Sequence, residues 1–247
     1  MQGSWYCGVE CLKPALAAIL ERQRSASSGR LPVHRIPLGL LLLSRQQLTP
    51  EQLRLGLAEQ RSSGAGKIGE WLQQLGFVTE LQVTGALARQ WSCPVLRMGS
   101  VDFAFDRANT LAAIPHRLLE ESQMIPADFS EVAGVLLVAF CEAVNHSALY
   151  AIERMLGYRT EACFVCPSVL RQALLSSKQI RRPDDVIFDR MEDFGEGARI
   201  VASYCAKLGT EQIRLARCGK HVWVRLQRGL GETVNLLLHF PGKSSVP

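Results

Sequence analysis

Two stretches of this chain, offset by 30 residues, are written to one pattern, and that repeat constrains the fold more than any other feature. The first runs Pro37-Leu38-Gly39, Leu42, Leu48-Thr49-Pro50-Glu51-Gln52-Leu53 and Leu57-Ala58-x-Gln60. The second runs Lys67-Ile68-Gly69, Leu72, Val78-Thr79-Glu80-Leu81-Gln82-Val83 and Leu87-Ala88-x-Gln90. Each copy spans 24 residues, 37–60 and 67–90, with six between them. The pattern predicts a short helix, a turn and a longer helix in each copy. Thr49 to Gln52 and Thr79 to Gln82 are capping boxes, in which the hydroxyl accepts from the third helical N–H and the glutamine reaches back. Leu53 with Leu57, and Val83 with Leu87, place one apolar stripe on each longer helix. Pro37 suits a first helical turn, where its missing N–H has no partner to lose. Gly76 is placed to end the second short helix in a left-handed conformation. Its counterpart is Gln46, so the first copy makes the same turn at a cost. Ser62-Ser63-Gly64-Ala65-Gly66 reads as the hinge between the copies.

The rest of the chain changes period. Residues 1–34 read as an N-terminal arm, with Cys7-x-x-x-Cys11 behind Trp5-Tyr6, a helix over Leu12 to Arg24 and a flexible Ser25 to Gly29 connector. The helical repeat domain occupies 35–95. Residues 96–180 read as an α/β sandwich. There a strand is expected over Val95 to Met98, a helix over Leu111 to Ser122 and a buried strand within Val132 to Phe140. Helix, strand and helix follow over Ser147 to Leu156, Arg159 to Val165 and Ser168 to Ser176. Arg181-Arg182-Pro183-Asp184-Asp185 reads as a linker, continued by a solvated acidic stretch of Asp189, Glu192 and Asp193. Residues 195–247 offer a helix (Gly197 to Leu208) and three strands (Gln212 to Ala216, His221 to Leu226, Thr233 to Phe240), with turns at Gly219-Lys220 and Gly229 to Gly231. The expected class is α+β: a helical tandem-repeat bundle, an α/β sandwich and a small α+β C-terminal domain.

Several function classes fall away. Twenty-eight basic against 23 acidic residues give a net charge of +5, scattered rather than gathered into a run, which argues against nucleic acid. The longest apolar runs, Ile36 to Leu43 and Val132 to Phe140, fall far short of the ~20 residues that span a bilayer. No basic segment followed by an apolar run marks a signal peptide, so a cytoplasmic protein without a transmembrane segment is expected. Gly64-Ala65-Gly66-Lys67 only imitates a phosphate loop: Arg61 stands where the first glycine is needed, Ile68 where the hydroxyl is needed, and a helix precedes it. The histidines His34, His116, His146, His221 and His239 show no metal-ligand spacing, and no nucleophile–base arrangement is legible. The expectation is a protein that is not an enzyme and carries no cofactor. Cys93, Cys141, Cys163, Cys205 and Cys218 lie in apolar surroundings and read as buried thiols, and Cys163-x-x-Cys166 lacks the second pair or histidines of a zinc site. Cys7 and Cys11 are candidate metal ligands. They resemble the second half of a zinc knuckle, but a structural zinc needs four ligands and only two precede the helix.

The tandem unit resembles the N-terminal module of the type II secretion and type IV pilus assembly ATPases. The pattern is a leading Arg-Leu-Gly, a leucine three residues on, a turn glycine, then a longer helix ending in glutamine. The likeness extends over roughly 35–178, through Ile114-Pro115, Gly134 to Ala139 and Leu156-Gly157-Tyr158, and more faintly over 195–240. It implies a docking or regulatory protein without the ATPase core, bound to a protein partner such as secretion or pilus machinery. In some members of the family this module binds cyclic di-GMP, which is the alternative. Carried over by position, the ligand-binding candidates are Leu38, Gly39, Leu42 and Gln60, then Lys67, Ile68, Gly69, Leu72, Gly76 and Gln90. The leading arginine is Pro37 in the first copy, with Arg35 two residues earlier, and Lys67 in the second. Lysine keeps the charge and loses the planar fork.

Overall fold

The computed structural model describes residues 4, 6–25, 35–96, 112–179, 185–229 and 232–240, and its elements mix helices and sheets in the α+β manner. Helix α1 (Val9–Ser25) is followed by the two copies of the repeat. These form α2 (Leu38–Ser44) and α3 (Pro50–Ser63), then α4 (Ile68–Gln74) and α5 (Glu80–Gln90). Both capping boxes are made. Thr49 Oγ1 accepts from the Gln52 amide at 3.2 Å while Gln52 Oε1 accepts from the Thr49 amide at 2.9 Å. The Thr79–Gln82 pair does the same at 3.3 and 2.7 Å. The short helices also end alike, through Gln47 N–H to Leu42 O at 3.0 Å and Phe77 N–H to Leu72 O at 2.9 Å.

That turn demands a left-handed residue, with φ +72° at Gly76 and +56° at Gln46. A side chain in this region costs about 1–2 kcal/mol. Gln46→Gly is therefore expected to stabilise the protein by about 1 kcal/mol, after allowing for the added freedom of glycine in the unfolded chain. Urea unfolding checks this, and an unchanged midpoint would show the turn to be unstrained.

The middle unit comprises α6 (His116–Glu121), β1 (Met124–Ser130), β2 (Val135–Phe140), α7 (His146–Leu156), β3 (Arg159–Phe164) and α8 (Pro167–Ser177). Its three-stranded sheet runs β1-β2-β3, antiparallel between β1 and β2 and parallel between β2 and β3. Three details depart from the sequence reading. The expected helix over Leu111 to Ser122 contains the shorter α6, which starts only after Pro115. Strand β1 has no counterpart among the expected elements, which pass from a helix ending at Ser122 to the apolar run beginning at Val132. Its Pro126 is tolerated at this edge, with the register slipping between Pro126 and Asp128. Around Val95 there is a single bridge to Phe164 rather than a strand, and Met98 lies outside the described residues.

In the C-terminal unit, β4 (Asp185–Phe188), α9 (Phe194–Leu208), β5 (Gln212–Cys218), β6 (His221–Arg228) and β7 (Glu232–His239) build a four-stranded sheet of order β4-β7-β6-β5. Strand β4 corrects the linker reading at Asp185, since it pairs in parallel with β7. The acids beyond it are engaged as well. Asp189 pairs with Arg117 at 2.9 Å, and Asp193 caps α9 by accepting from the Glu196 amide at 2.7 Å. Arg181 to Asp184 lie outside the described residues.

Strand alternation gives this sheet two buried faces. Val222, Val224, Leu226, Leu236 and Leu238 pack with Leu12, Leu16 and Leu20 of α1 and with Ala198, Val201 and Ala202 of α9. The helix expected in an N-terminal arm thus covers the C-terminal sheet alongside α9. On the other face Ala216, Cys218, Trp223 and Leu237 join the core of the middle unit. Polar groups tie the seam. Trp223 Nε1–H donates to Asn235 Oδ1 at 2.9 Å, and Asn235 Nδ2–H donates to Asp185 Oδ1 at 3.0 Å. His221 Nδ1 lies 3.1 Å from Glu121 Oε2 without hydrogen-bond alignment, and burial holds its pKa below the usual histidine range. Among the described residues no helix is long and apolar enough to cross a membrane.

Candidate functional site

The helical copies contact each other reciprocally. Helix α3 packs on α4 and α2 on α5, so each longer helix meets the short helix of the other copy. Gln60 Nε2–H donates to Gly66 O at 2.9 Å, and Gln90 Nε2–H donates to Ile36 O at 2.6 Å. Donors and acceptors are each offset by 30 residues, so the terminal glutamine of one copy latches the entry to the other. The shared core is Leu41, Leu42, Leu48, Leu72, Val78, Val83 and Ala86, with Leu38, Leu53 and Ile68 packed against it.

The repeated glycines sit where side chains pass close by. A Cβ at Gly39 would meet Leu53 Cδ1 at 2.8 Å, and one at Gly69 would meet Leu38 Cδ2 and Val83 Cγ1 at 3.1 Å each. Leu53 and Val83 are themselves counterparts in the repeat. Six of the positions carried over for a ligand therefore lie in or against the packed core: Leu38, Gly39, Leu42, Ile68, Gly69 and Leu72. Gln60 and Gln90 are spent on backbone carbonyls. Gly76 is exposed at its turn, and Lys67 is exposed at the N-terminus of α4.

Lys67 is not alone there. Its Nζ forms an ion pair with the Glu142 carboxylate, just past the end of β2. Nearby, Glu80 in the first turn of α5 accepts from the Ser168 amide at 2.8 Å and from Ser168 Oγ at 2.6 Å. Helix α8 has no cap from its own N-cap side chain, and the Glu80 carboxylate supplies the anionic group that a helix N-terminus favours. Thr84 Oγ1 also reaches Cys166 Sγ at 3.6 Å. Arg35 lies over the Trp91 ring at 3.2 Å from its centroid, a cation–π contact at the same end of the helical unit as the Gln90 latch. Glu142, Ser168 and Trp91 have no signal in the repeat; only the tertiary fold brings them to its residues.

The cysteines divide by burial. Cys141, Cys163, Cys205 and Cys218 are buried, and Cys93 is half-buried. Desolvation pushes the Cys163 thiol up to about 12 and Cys141 up to about 11, so neither is a thiolate near neutral pH. Cys7 and Cys11 are exposed with their sulfurs 3.1 Å apart, and the hydrogen bond between them raises Cys11. Among the described residues no group of three potential ligands gathers anywhere, so this pair stands as two donors of the four a structural zinc takes.

No family model matches the sequence. The chain is 25% identical over 158 residues to the type IV pilus assembly ATPase PilB of Myxococcus xanthus, a span of 63% of this chain and 27% of that protein. It is 27% identical over 137 residues to PilB of Thermus thermophilus, covering 56% of this chain and 15% of that protein. Only a minor part of each relative is therefore matched. Among solved structures, MshE with cdg is 24% identical at a TM-score of 0.47, covering 58% of this chain and 99% of that one. The N-terminal domain of XpsE is 16% identical at a TM-score of 0.38, covering 56% and 91%. Over rather more than half its length, this chain is similar to the N-terminal region of the type II secretion and type IV pilus assembly ATPases.

Proposed function

We propose that this chain is a non-catalytic docking and regulatory protein, whose helical tandem-repeat bundle, braced on the α/β unit, presents a surface to a protein of the secretion or pilus machinery. One observation carries the reading: the residues that make the repeat recognisable are engaged in folding it. Gly39 and Gly69 lie beneath neighbouring side chains, Gln60 and Gln90 latch the two copies, and Lys67 holds Glu142. Exposed leucines remain on the outside, with Leu40, Leu55 and Leu81 at 52%, 57% and 46% exposure. Such apolar side chains are what a partner's surface would cover. The test mixes the purified chain with the type IV pilus assembly ATPase of the same organism and measures the mass of the eluted complex. A stoichiometric complex is expected, lost in Leu55→Glu or Leu81→Glu. Separate elution of the two proteins removes the reading for that partner.

A second reading, a cyclic di-GMP receptor, is favoured by the reciprocal contacts of the two copies, which suit a ligand that is itself two-fold, and by Arg35 held over Trp91. In that case Glu142 competes with the ligand for Lys67. Titration calorimetry separates the two readings. A receptor is expected to bind about tenfold more weakly as Lys67→Ala, the loss of one charge-assisted contact, and more tightly as Glu142→Ala. Absence of heat from the wild type at tens of micromolar ligand removes it.

A further inference from the structure

Cys7 and Cys11 bracket the start of α1, Cys7 in the bend that precedes the helix and Cys11 in its first turn. Both side chains are exposed, and their sulfurs lie 3.1 Å apart in a thiol–thiol hydrogen bond. The other cysteines are buried or half-buried, so this pair is the one that an oxidant in solution meets first.

The backbone lets the two sulfurs close. Within a regular helix, residues four apart hold their Cβ atoms about 5–6 Å from each other. A disulfide needs about 3.5–4.5 Å between those atoms and about 2.05 Å between the sulfurs. Cys7 escapes the helical constraint because it stands outside α1, and its sulfur already touches that of Cys11. Gly8 joins the bend to the helix with open space where a Cβ would stand, so the bend tightens without displacing a neighbour.

Closing the pair bears on how α1 is held. Pro14 lies inside the helix, and a residue without an N–H donates nothing to the Glu10 carbonyl one turn back. The first turn is therefore fastened less firmly to the rest of α1. Leu12 in that turn, with Leu16 and Leu20 beyond it, covers the C-terminal sheet.

We propose that Cys7 and Cys11 are a reversible redox pair, which a small external disulfide such as oxidised glutathione converts to an intramolecular disulfide that fastens the first turn of α1 over the C-terminal sheet. The thiolate of one cysteine attacks a sulfur of the oxidant, breaking its S–S bond and releasing one thiolate. The thiolate of the other cysteine then attacks the protein sulfur of that mixed disulfide and releases the second. The protein gives up two protons and two electrons, and the oxidant leaves as two thiols. An exposed disulfide is of the labile kind that a thiol pool reduces again. The pair lies outside the helical repeat, so its fate is independent of the docking and dinucleotide readings.

The test treats the reduced full chain with oxidised glutathione and weighs the tryptic peptide that carries both cysteines. The wild-type peptide is expected to become lighter by two hydrogen atoms, to hold no glutathione, and to regain its mass in dithiothreitol. Cys7→Ser and Cys11→Ser each stop at the glutathione adduct. The oxidised wild type is expected to melt about 2–4 °C above the reduced form, a difference lost when both cysteines are serine. A stable glutathione adduct on the wild type overturns the proposal, as does a cross-link to a second copy of the chain. Zinc that is retained by the reduced protein and shields both thiols from the oxidant overturns it too, and assigns the pair to a metal. An oxidised form that melts no higher than the reduced one removes the fastening of α1.

Discussion

Replacing Trp223 by alanine is expected to destabilise the protein by roughly 4–6 kcal/mol. Among the described residues Trp223 is the largest fully buried side chain, and although it belongs to β6 of the C-terminal sheet its ring lies in the core of the middle unit. Truncation removes that packing at about 3–5 kcal/mol. It also strands Asn235 Oδ1, which accepts from the indole N–H at 2.9 Å inside the protein, and an unsatisfied buried acceptor adds a cost of the order of 1 kcal/mol or more. Against a total stability of about 5–15 kcal/mol, such a loss is severe. Because the ring joins two units, the variant is also expected to unfold in separated steps, the C-terminal sheet with α1 and α9 losing its coupling to the middle unit. Urea unfolding followed by circular dichroism measures both effects. A single transition shifted by less than about 1 kcal/mol would show that the seam does not depend on this ring.

The second large effect concerns the repeat itself. Gly69→Val is expected to cost about 2 kcal/mol, the order found when atoms are forced into a filled core. The added Cβ alone would stand 3.1 Å from both Leu38 and Val83, and the two further methyl groups have no room between α2, α4 and α5. If Gly69 served only a ligand, the substitution would leave the thermal midpoint in place and change binding alone. A fall in midpoint without any ligand present therefore assigns the glycine to packing. An unchanged midpoint would defeat that assignment and turn attention back to the cyclic di-GMP reading.

Much of the helical unit is legible in the sequence because its signals are local. Thr49, Gln52, Thr79 and Gln82 lie within one turn of each other, so their capping contacts follow from spacing. The strain at Gln46 is legible by comparison with Gly76 in the second copy. Strands β2 and β3 with α7 between them follow from an apolar run, a helical stretch and a second run. Failures occur where one local rule is overruled by tertiary pairing. Pro126 speaks against a strand, yet at a sheet edge its missing N–H costs no ladder bond. Asp185 reads as linker, yet the Asn235 side chain and the β7 backbone hold it in a sheet.

At the site, what could be read from the residues in order was the unit: two matched helix–turn–helix copies with their caps and glycines, and a similarity to the N-terminal region of the secretion and pilus ATPases. What those residues touch became visible only in the folded chain. Folding placed Gly39 and Gly69 under neighbouring side chains, turned Gln60 and Gln90 into reciprocal latches, and set Glu142 against Lys67. The difference is one of range. Caps, turns and stripes are contacts between residues a few positions apart, and their spacing is visible in a string. A carboxylate 75 positions from the lysine it pairs with meets it only once the chain has closed on itself.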